Sequence, residues 1–130
     1  MDSKEVVIDT NFFMVQFQFN VDIIDELKKA LPSYKLTTTK FVVNELKGLK
    51  KNNKSKTRMN ASLALKLAQS PKIEIKDIPL LEDEAVDDAL LRISDVLATN
   101  DIELKKRAKD NGITVAYLRQ KRYIAIDGKI

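Results

Sequence analysis

At 130 residues the chain has the length of one ordinary domain, and 44% hydrophobic residues suffice for a core. It contains no Cys and no His, which excludes disulfides, thiolate nucleophiles, Ser-His-Asp triads and the usual zinc sites. With 32% charged residues and a net charge of +4, the surface is heavily ionised and mildly basic, compatible with simple solubility or with a polyanionic substrate.

Three Gly and three Pro argue against disorder and repeats. No run approaches about 18 uninterrupted apolar residues, so no membrane span is expected. The opening Met1-Asp2-Ser3-Lys4-Glu5 lacks the basic-then-apolar layout of a signal peptide, so the expectation is an intracellular, cytoplasmic protein.

Val6-Val7-Ile8 reads as a strand buried on both faces, ending in Asp9. A carboxylate cannot sit unpaired inside such a sheet, so Asp9 belongs at the carboxyl edge, where α/β sheets bind ligands. Asn11 to Met14 predicts a short helical turn capped by Thr10 or Asn11. The alternation Gln16-Phe17-Gln18-Phe19-Asn20 reads as extended or as a loop.

Asp22 to Leu31 is an amphipathic helix stopped by Pro32, with Asp22, Asp25 and Glu26 as caps and surface charge. Tyr34 to Thr38 is a second strand. Thr38 or Thr39 caps a helix from Lys40 to about Lys47 that carries Glu45. The next stretch holds six basic residues and no acid: Lys47, Lys50, Lys51, Lys54, Lys56 and Arg58. With Gly48, Asn52, Asn53 and Ser55 it reads as a loop, either an RNA-phosphate contact or a solvated segment.

Met59 to Gln69 is a helix, with Leu63 and Leu67 on its apolar side beside Ala61, Ala64 and Ala68. Ile73 to Ile75 is a short strand. A helix from about Asp83 to Ile93 buries Val86, Ala89, Leu90 and Ile93 and carries the adjacent Asp87 and Asp88. Asp95 to Ala98 is a strand followed by Thr99-Asn100-Asp101, the opening device repeated. Asn100 caps a helix from Asp101 to about Asn111, and Gly112 ends it. Ile113 to Leu118 is the last core strand. Arg119, Lys121 and Arg122 form a second basic cluster before a short edge strand, Tyr123 to Ile126. Strands alternating with helices predict a three-layer α/β/α sandwich around a central, mainly parallel sheet of about five strands.

Four acidic positions are spaced to converge: Asp9, Glu45, Asp88 or its neighbour Asp87, and Asp101. Carboxylates at one edge repel unless cations join them, and oxygen-only donors favour Mg2+ or Mn2+. Such ions can activate water and stabilise a leaving oxygen in phosphodiester cleavage. A phosphate-cofactor binder is disfavoured, because no Gly-rich loop follows Val6–Ile8.

Val7-Ile8-Asp9-Thr10-Asn11-Phe12, Val43-Asn44-Glu45-Leu46, Val86-Asp87-Asp88-Ala89-Leu90-Leu91 and Ala98-Thr99-Asn100-Asp101 resemble, in order, the four acidic blocks of the PIN-domain nucleases. The resemblance spans nearly the whole chain. Within the superfamily it is nearest to archaeal proteins similar to the PIN nucleases of small-subunit rRNA processing, and more distantly to VapC-like toxins. It implies one PIN-like, Rossmann-like domain over residues 1–130 and a metal-dependent endoribonuclease, with single-stranded or structured RNA, including rRNA, as substrate. By position it implies that Asp9, Glu45, Asp88 and Asp101 are catalytic and bind metal. The family's order of Asp, small residue, then aliphatics picks Asp88, while helical geometry leaves Asp87 open as a ligand. Asn11 and Thr99 match amide and hydroxyl positions that support the carboxylates. The span from Asp88 to Asp101 is shorter than the family pattern, so the helix must lose about a turn. A toxin with an antitoxin partner, a homodimer, and a catalytically weak RNA-binding or assembly factor stay open as alternatives.

Overall fold

The computed structural model describes residues 4–130; Met1-Asp2-Ser3, used in reading the N-terminus, lie outside them. In chain order the elements are β1 (Glu5–Ile8), α1 (Thr10–Phe19), α2 (Ile23–Ala30), β2 (Lys35–Thr39), α3 (Lys40–Leu49), α4 (Ser55–Ala68), β3 (Glu74–Lys76), α5 (Val86–Ile93), β4 (Val96–Ala98), α6 (Ile102–Asp110), β5 (Thr114–Arg119) and β6 (Tyr123–Asp127). One sheet runs β3-β2-β1-β4-β5-β6, parallel throughout except for β6, which is antiparallel to β5. Its six strands include the short edge strand expected at Tyr123 to Ile126, which pairs along β5 as Tyr123–Asp127.

β1 lies between β2 and β4, and its Val6, Val7 and Ile8 are buried, as a strand covered on both faces requires. From β1 the chain steps outward to β2 and β3, then returns to β4 and steps the other way to β5. Right-handed crossovers therefore put α1–α4 and α6 on opposite faces. Helices α1, α3 and α4 pack on one another, and α5 packs on α6. The reversal of direction falls between β1 and β4, the place where parallel α/β sheets open a crevice at their carboxyl ends.

Several elements depart from the sequence reading. The turn expected at Asn11–Met14 is the start of a ten-residue helix that includes the Gln–Phe alternation and ends at Asn20, whose φ is 55°. Four consecutive residues from Phe12 to Val15 are buried, so the helix is covered too widely to display a 3.6-residue period. Helix α4 begins at Ser55 rather than Met59, with no side-chain cap to announce it. Its buried side runs through Ala61, Ala64, Leu65 and Ala68, while Leu63 is exposed, because small residues let α1 and α3 approach closely. Helix α5 starts at Val86, not Asp83, which sits in a turn at φ 60°. Gly112 (φ 73°) ends α6 in the left-handed region.

Candidate active site

Asp9 is the first residue beyond β1, and its N–H donates to the carbonyl of Ala98 at 3.1 Å, extending the β1–β4 ladder by one step. Its side chain is 4% exposed. It caps α1 itself, displacing Thr10 and Asn11 from that role: Oδ1 accepts from the N–H of Phe12 at 2.7 Å. Oδ2 accepts from the hydroxyl of Thr99 at 2.5 Å. Thr99 holds the same place after β4, and its N–H donates to Ala116 at 3.0 Å.

The Thr99 hydroxyl also accepts from the N–H of Asp101 at 3.1 Å. Asp101, rather than Asn100, caps α6 by accepting from Leu104 N–H at 2.8 Å. Asn100 instead mimics a strand residue: its amide oxygen accepts from Leu118 N–H at 2.7 Å and its amide nitrogen donates to the Leu118 carbonyl at 3.2 Å. A hydrogen-bonded path thus runs from Asp101 through Thr99 to Asp9, across the reversal point of the sheet.

Glu45 comes from α3, whose first turn is set by Thr39 accepting from Val42 N–H at 3.2 Å. One Glu45 carboxylate oxygen accepts from the hydroxyl of Thr10. Asp87 comes from the first turn of α5. Asp9, Thr10, Asn11, Glu45, Asp87 and Asp101 line one cavity of about 360 Å3, completed by Gly48, Leu49, Leu90 and Leu104. Asp87 and Leu90 are three residues apart and share the helix face turned to it.

Asp88, which the resemblance picks for the third acid, does not line this cavity. Its carboxylate pairs with the guanidinium of Arg107 on α6. One step along a helix is about 100° of rotation, enough to carry Asp88 out of the face that Asp87 occupies. The eight-residue α5 is short, as the compressed span to Asp101 requires. Asp95 lies before β4, at the opposite edge of the sheet. Asn11 is an exposed rim residue, and no side-chain hydrogen bond joins it to an acid among the described residues. The sequence reading gives Thr10 only a capping role and misses its hydrogen bond to Glu45; its position one step past a strand-end acid, on a helix facing α3, is the available signal.

Burial pushes the Asp9 carboxyl up from 3.8 to about 7, against the lowering by Thr99 and Phe12 and with added repulsion from Asp87 and Asp101. Asp87 is also raised, first by burial and then by Asp101, with Arg107 opposing. No Lys or Arg lines the cavity. Its donors are therefore oxygen-only and electrostatically short of a cation, which fits a hard divalent ion. Among the described residues, no three acidic side chains are gathered closely enough to hold an ion between them as they stand.

Of the basic stretch, Lys47 and Lys50 flank the cavity-lining Gly48 and Leu49 at the end of α3. Lys51 and Lys54 lie in the turn, and Lys56 and Arg58 in α4. Arg58 closes that turn by donating to the carbonyls of Asn52 and Asn53 at 3.0 and 3.1 Å. None of the six has an ion-pair partner among the described residues.

The family described as a PIN-like domain matches residues 6–121. The chain is 31% identical to ribonuclease VapC9 of Archaeoglobus fulgidus over 121 residues, 93% of this chain and 87% of that protein. It is 30% identical to ribonuclease VapC4 of Methanocaldococcus jannaschii over 134 aligned positions, 97% and 98% of the two chains. The fold superposes on the PIN domain endonuclease Utp24 with a TM-score of 0.78 at 23% identity, covering 98% of this chain and 94% of that one. It also superposes on a domain of a functionally unknown protein from Methanocaldococcus jannaschii, with a TM-score of 0.59 at 17% identity, covering 98% and 96%.

Proposed function

The chain belongs to the PIN-like domain family, and on that premise we propose that it is a divalent-metal-dependent endoribonuclease that hydrolyses RNA phosphodiester bonds. The observation that carries this reading is that Asp9, Glu45, Asp87 and Asp101 line one cation-poor cavity at the carboxyl edge of the sheet. A bound Mg2+ or Mn2+ would supply an acidified water as nucleophile and a counter-charge for the leaving oxygen.

The chain's own residues divide the remaining work. Asp9 is the buried anchor, its rotamer fixed by Phe12 N–H and Thr99 Oγ–H. Asp101 leaves one carboxylate oxygen available while the other caps α6. Thr10 aims Glu45, and Asp87 supplies the acid of α5. Asp88 is given a positioning part: its pairing with Arg107 ties α5 to α6 and so orients Asp87. Lys47, Lys50, Lys51, Lys54 and Lys56 meet RNA phosphates beside the cavity, with Arg58 shaping the turn that presents them.

For the substrate, the nuclease motifs suggest rRNA processing in the cytoplasm, while the two VapC relatives favour a toxin ribonuclease held by an antitoxin. Inducing the protein in cells separates them: accumulation of trimmed rRNA ends supports the first, and growth arrest relieved by a co-expressed neighbouring gene product supports the second. The spread of the acids favours a further reading, an RNA-binding factor with little catalysis. RNA cleavage that needs Mg2+ or Mn2+ and is lost in Asp9→Asn supports the endonuclease. No heat of Mn2+ binding at millimolar metal, with no cleavage, overturns it in favour of the binding factor.

A further inference from the structure

The second basic cluster has no part in the reading so far, and the sheet gives it a definite place. Ala98, the last residue of β4, pairs with Ala116 of β5, so Tyr117, Leu118 and Arg119 continue beyond the edge where Asp9 and Thr99 lie. Three residues of strand raise the β5–β6 hairpin about 10 Å above that edge. Its stem is tied to the candidate site through Asn100, which bonds both backbone groups of Leu118 and sits between Thr99 and Asp101.

Arg119 lies directly opposite Tyr123, and Tyr117 opposite Ala125. Strand alternation puts Tyr117, Arg119 and Tyr123 on one face. That face looks toward α6, since Lys105 Nζ lies 3.4 Å from the centroid of the Tyr117 ring. Tyr123 is 40% exposed, and Ile102, next to Asp101, is 86% exposed. The cations here divide sharply. Arg107 and Lys109 are neutralised by Asp88 and Asp127, whereas Lys105, Lys106, Arg119, Lys121 and Arg122 have no ion-pair partner among the described residues.

The hairpin tip is the three-residue connection Gln120-Lys121-Arg122 between the paired Arg119 and Tyr123, within which Arg122 N–H donates to Arg119 O at 3.1 Å. Its first two residues, Gln120 and Lys121, have φ of 53° and 56°, in the left-handed region that Gly and Asn enter most readily. The tip thus keeps two long polar side chains in a conformation that disfavours them, a pattern associated with functional surfaces.

Resting on the ribonuclease reading, we propose that this hairpin face is a single-stranded RNA track: the strand leaving the acidic cavity passes Ile102, stacks a base on Tyr123, and sets its phosphates against Arg119, Lys105 and Lys106. Exposed aromatics beside unpaired cations are the combination that binds unstacked bases and their backbone. With the α3–α4 segment on the other side of the cavity, the strand is held both before and after the bond to be cut.

The test measures binding of a fluorescent single-stranded RNA of about 15 nucleotides, a length that spans cavity and hairpin, to the full chain in EDTA, where no cleavage occurs. Tyr123→Ala should weaken binding roughly ten-fold, and Tyr123→Phe should restore it, since stacking needs the ring and not the hydroxyl. Arg119→Ala should weaken binding and lower the salt dependence by about one phosphate contact. Lys72→Gln, before β3 at the far side of the sheet, should leave affinity unchanged. RNA carrying 5-iodouracil should photocrosslink to Tyr123 in the wild type, a readout that requires no variant to fold. Wild-type affinity in both Tyr123→Ala and Arg119→Ala, with crosslinks elsewhere, overturns the track and leaves the ribonuclease reading standing. Absence of any RNA binding or cleavage by the wild type overturns both.

Discussion

After β1 the first residue beyond the strand is an aspartate; after β4 it is a threonine, and the aspartate comes two residues later. Both acids cap the helix that follows, Asp9 through Phe12 N–H and Asp101 through Leu104 N–H. Yet Asp9 is buried and its carboxyl is pushed up to about 7, while Asp101 stands half-exposed at the cavity wall. The two intervening residues account for this. Thr99 occupies the buried step that Asp9 takes on its own strand, and Asn100 turns aside to β5, so Asp101 emerges into the cavity. A strand-end acid is tuned here by its distance from the last ladder bond, because that distance sets burial and burial sets proton affinity.

The largest break in this comparison should come from Asp9→Asn. Cleavage should fall on the order of 10³-fold, as loss of an essential charged group in such a site does. The stability of the metal-free protein should move the other way near neutral pH. Folded Asp9 holds its proton up to about 7 and the unfolded chain only up to 3.8, so the folded state binds the extra proton between those values. Wild-type stability should therefore decline as pH rises from about 4 to 7 and level off above. Asp9→Asn should remove that decline, a gain on the order of a few kcal/mol at pH 7.5, read by urea denaturation at several pH values. A variant that keeps the wild-type pH slope would contradict the buried-carboxyl account.

The second test sets neighbours against each other. Asp87→Asn should reduce cleavage roughly 100-fold, and Asp88→Asn by less than about five-fold, with a stability loss of about 0.5 kcal/mol for its exposed pair with Arg107. The reverse ranking would return the role to Asp88. Thr99→Val comes third. It deprives Asp9 of a donor and leaves the N–H of Asp101 unpaired, so stability should drop by about 1–2 kcal/mol. The acid limb of the cleavage pH profile should shift upward, since the hydroxyl lowers the Asp9 proton affinity. The smallest effect distinguishes the cap from the charge at the outer acid: Asp101→Ala should cost about 1 kcal/mol of stability and Asp101→Asn only a few tenths, because Asn caps nearly as well. Thermal melts of the two metal-free variants compare them.

The fold was legible where local pattern and environment agree. A three-residue apolar run ending in Asp can be buried only as a central strand with its acid at the edge. The helices α2 and α6 carry polar faces and caps that define them. Helix α1 was obscured because it is buried too broadly to show a period, and the start of α4 because no capping side chain marks it. The basic stretch read as one loop is in fact a helix end, a turn closed by Arg58 and a helix start, a division that depends on backbone carbonyls no composition reveals.

By itself, the sequence determined the class of fold, the edge at which acids collect, and a chemistry restricted to oxygen donors, since strand–helix alternation and the absence of Cys and His are properties of the chain alone. Only the tertiary structure decided which acids line one cavity. Whether Asp87 or Asp88 looks into the cavity is the rotation of α5 about its own axis, set by how Ala89 and Leu90 seat in the core and by Arg107 claiming Asp88 from the neighbouring helix. Whether Glu45 lines the same cavity as Asp9 depends on α3 crossing near α1, where Thr10 holds it. Helical spacing fixes relative angles within one helix; only packing fixes the absolute orientation that turns adjacent carboxylates into one cavity residue and one ion pair.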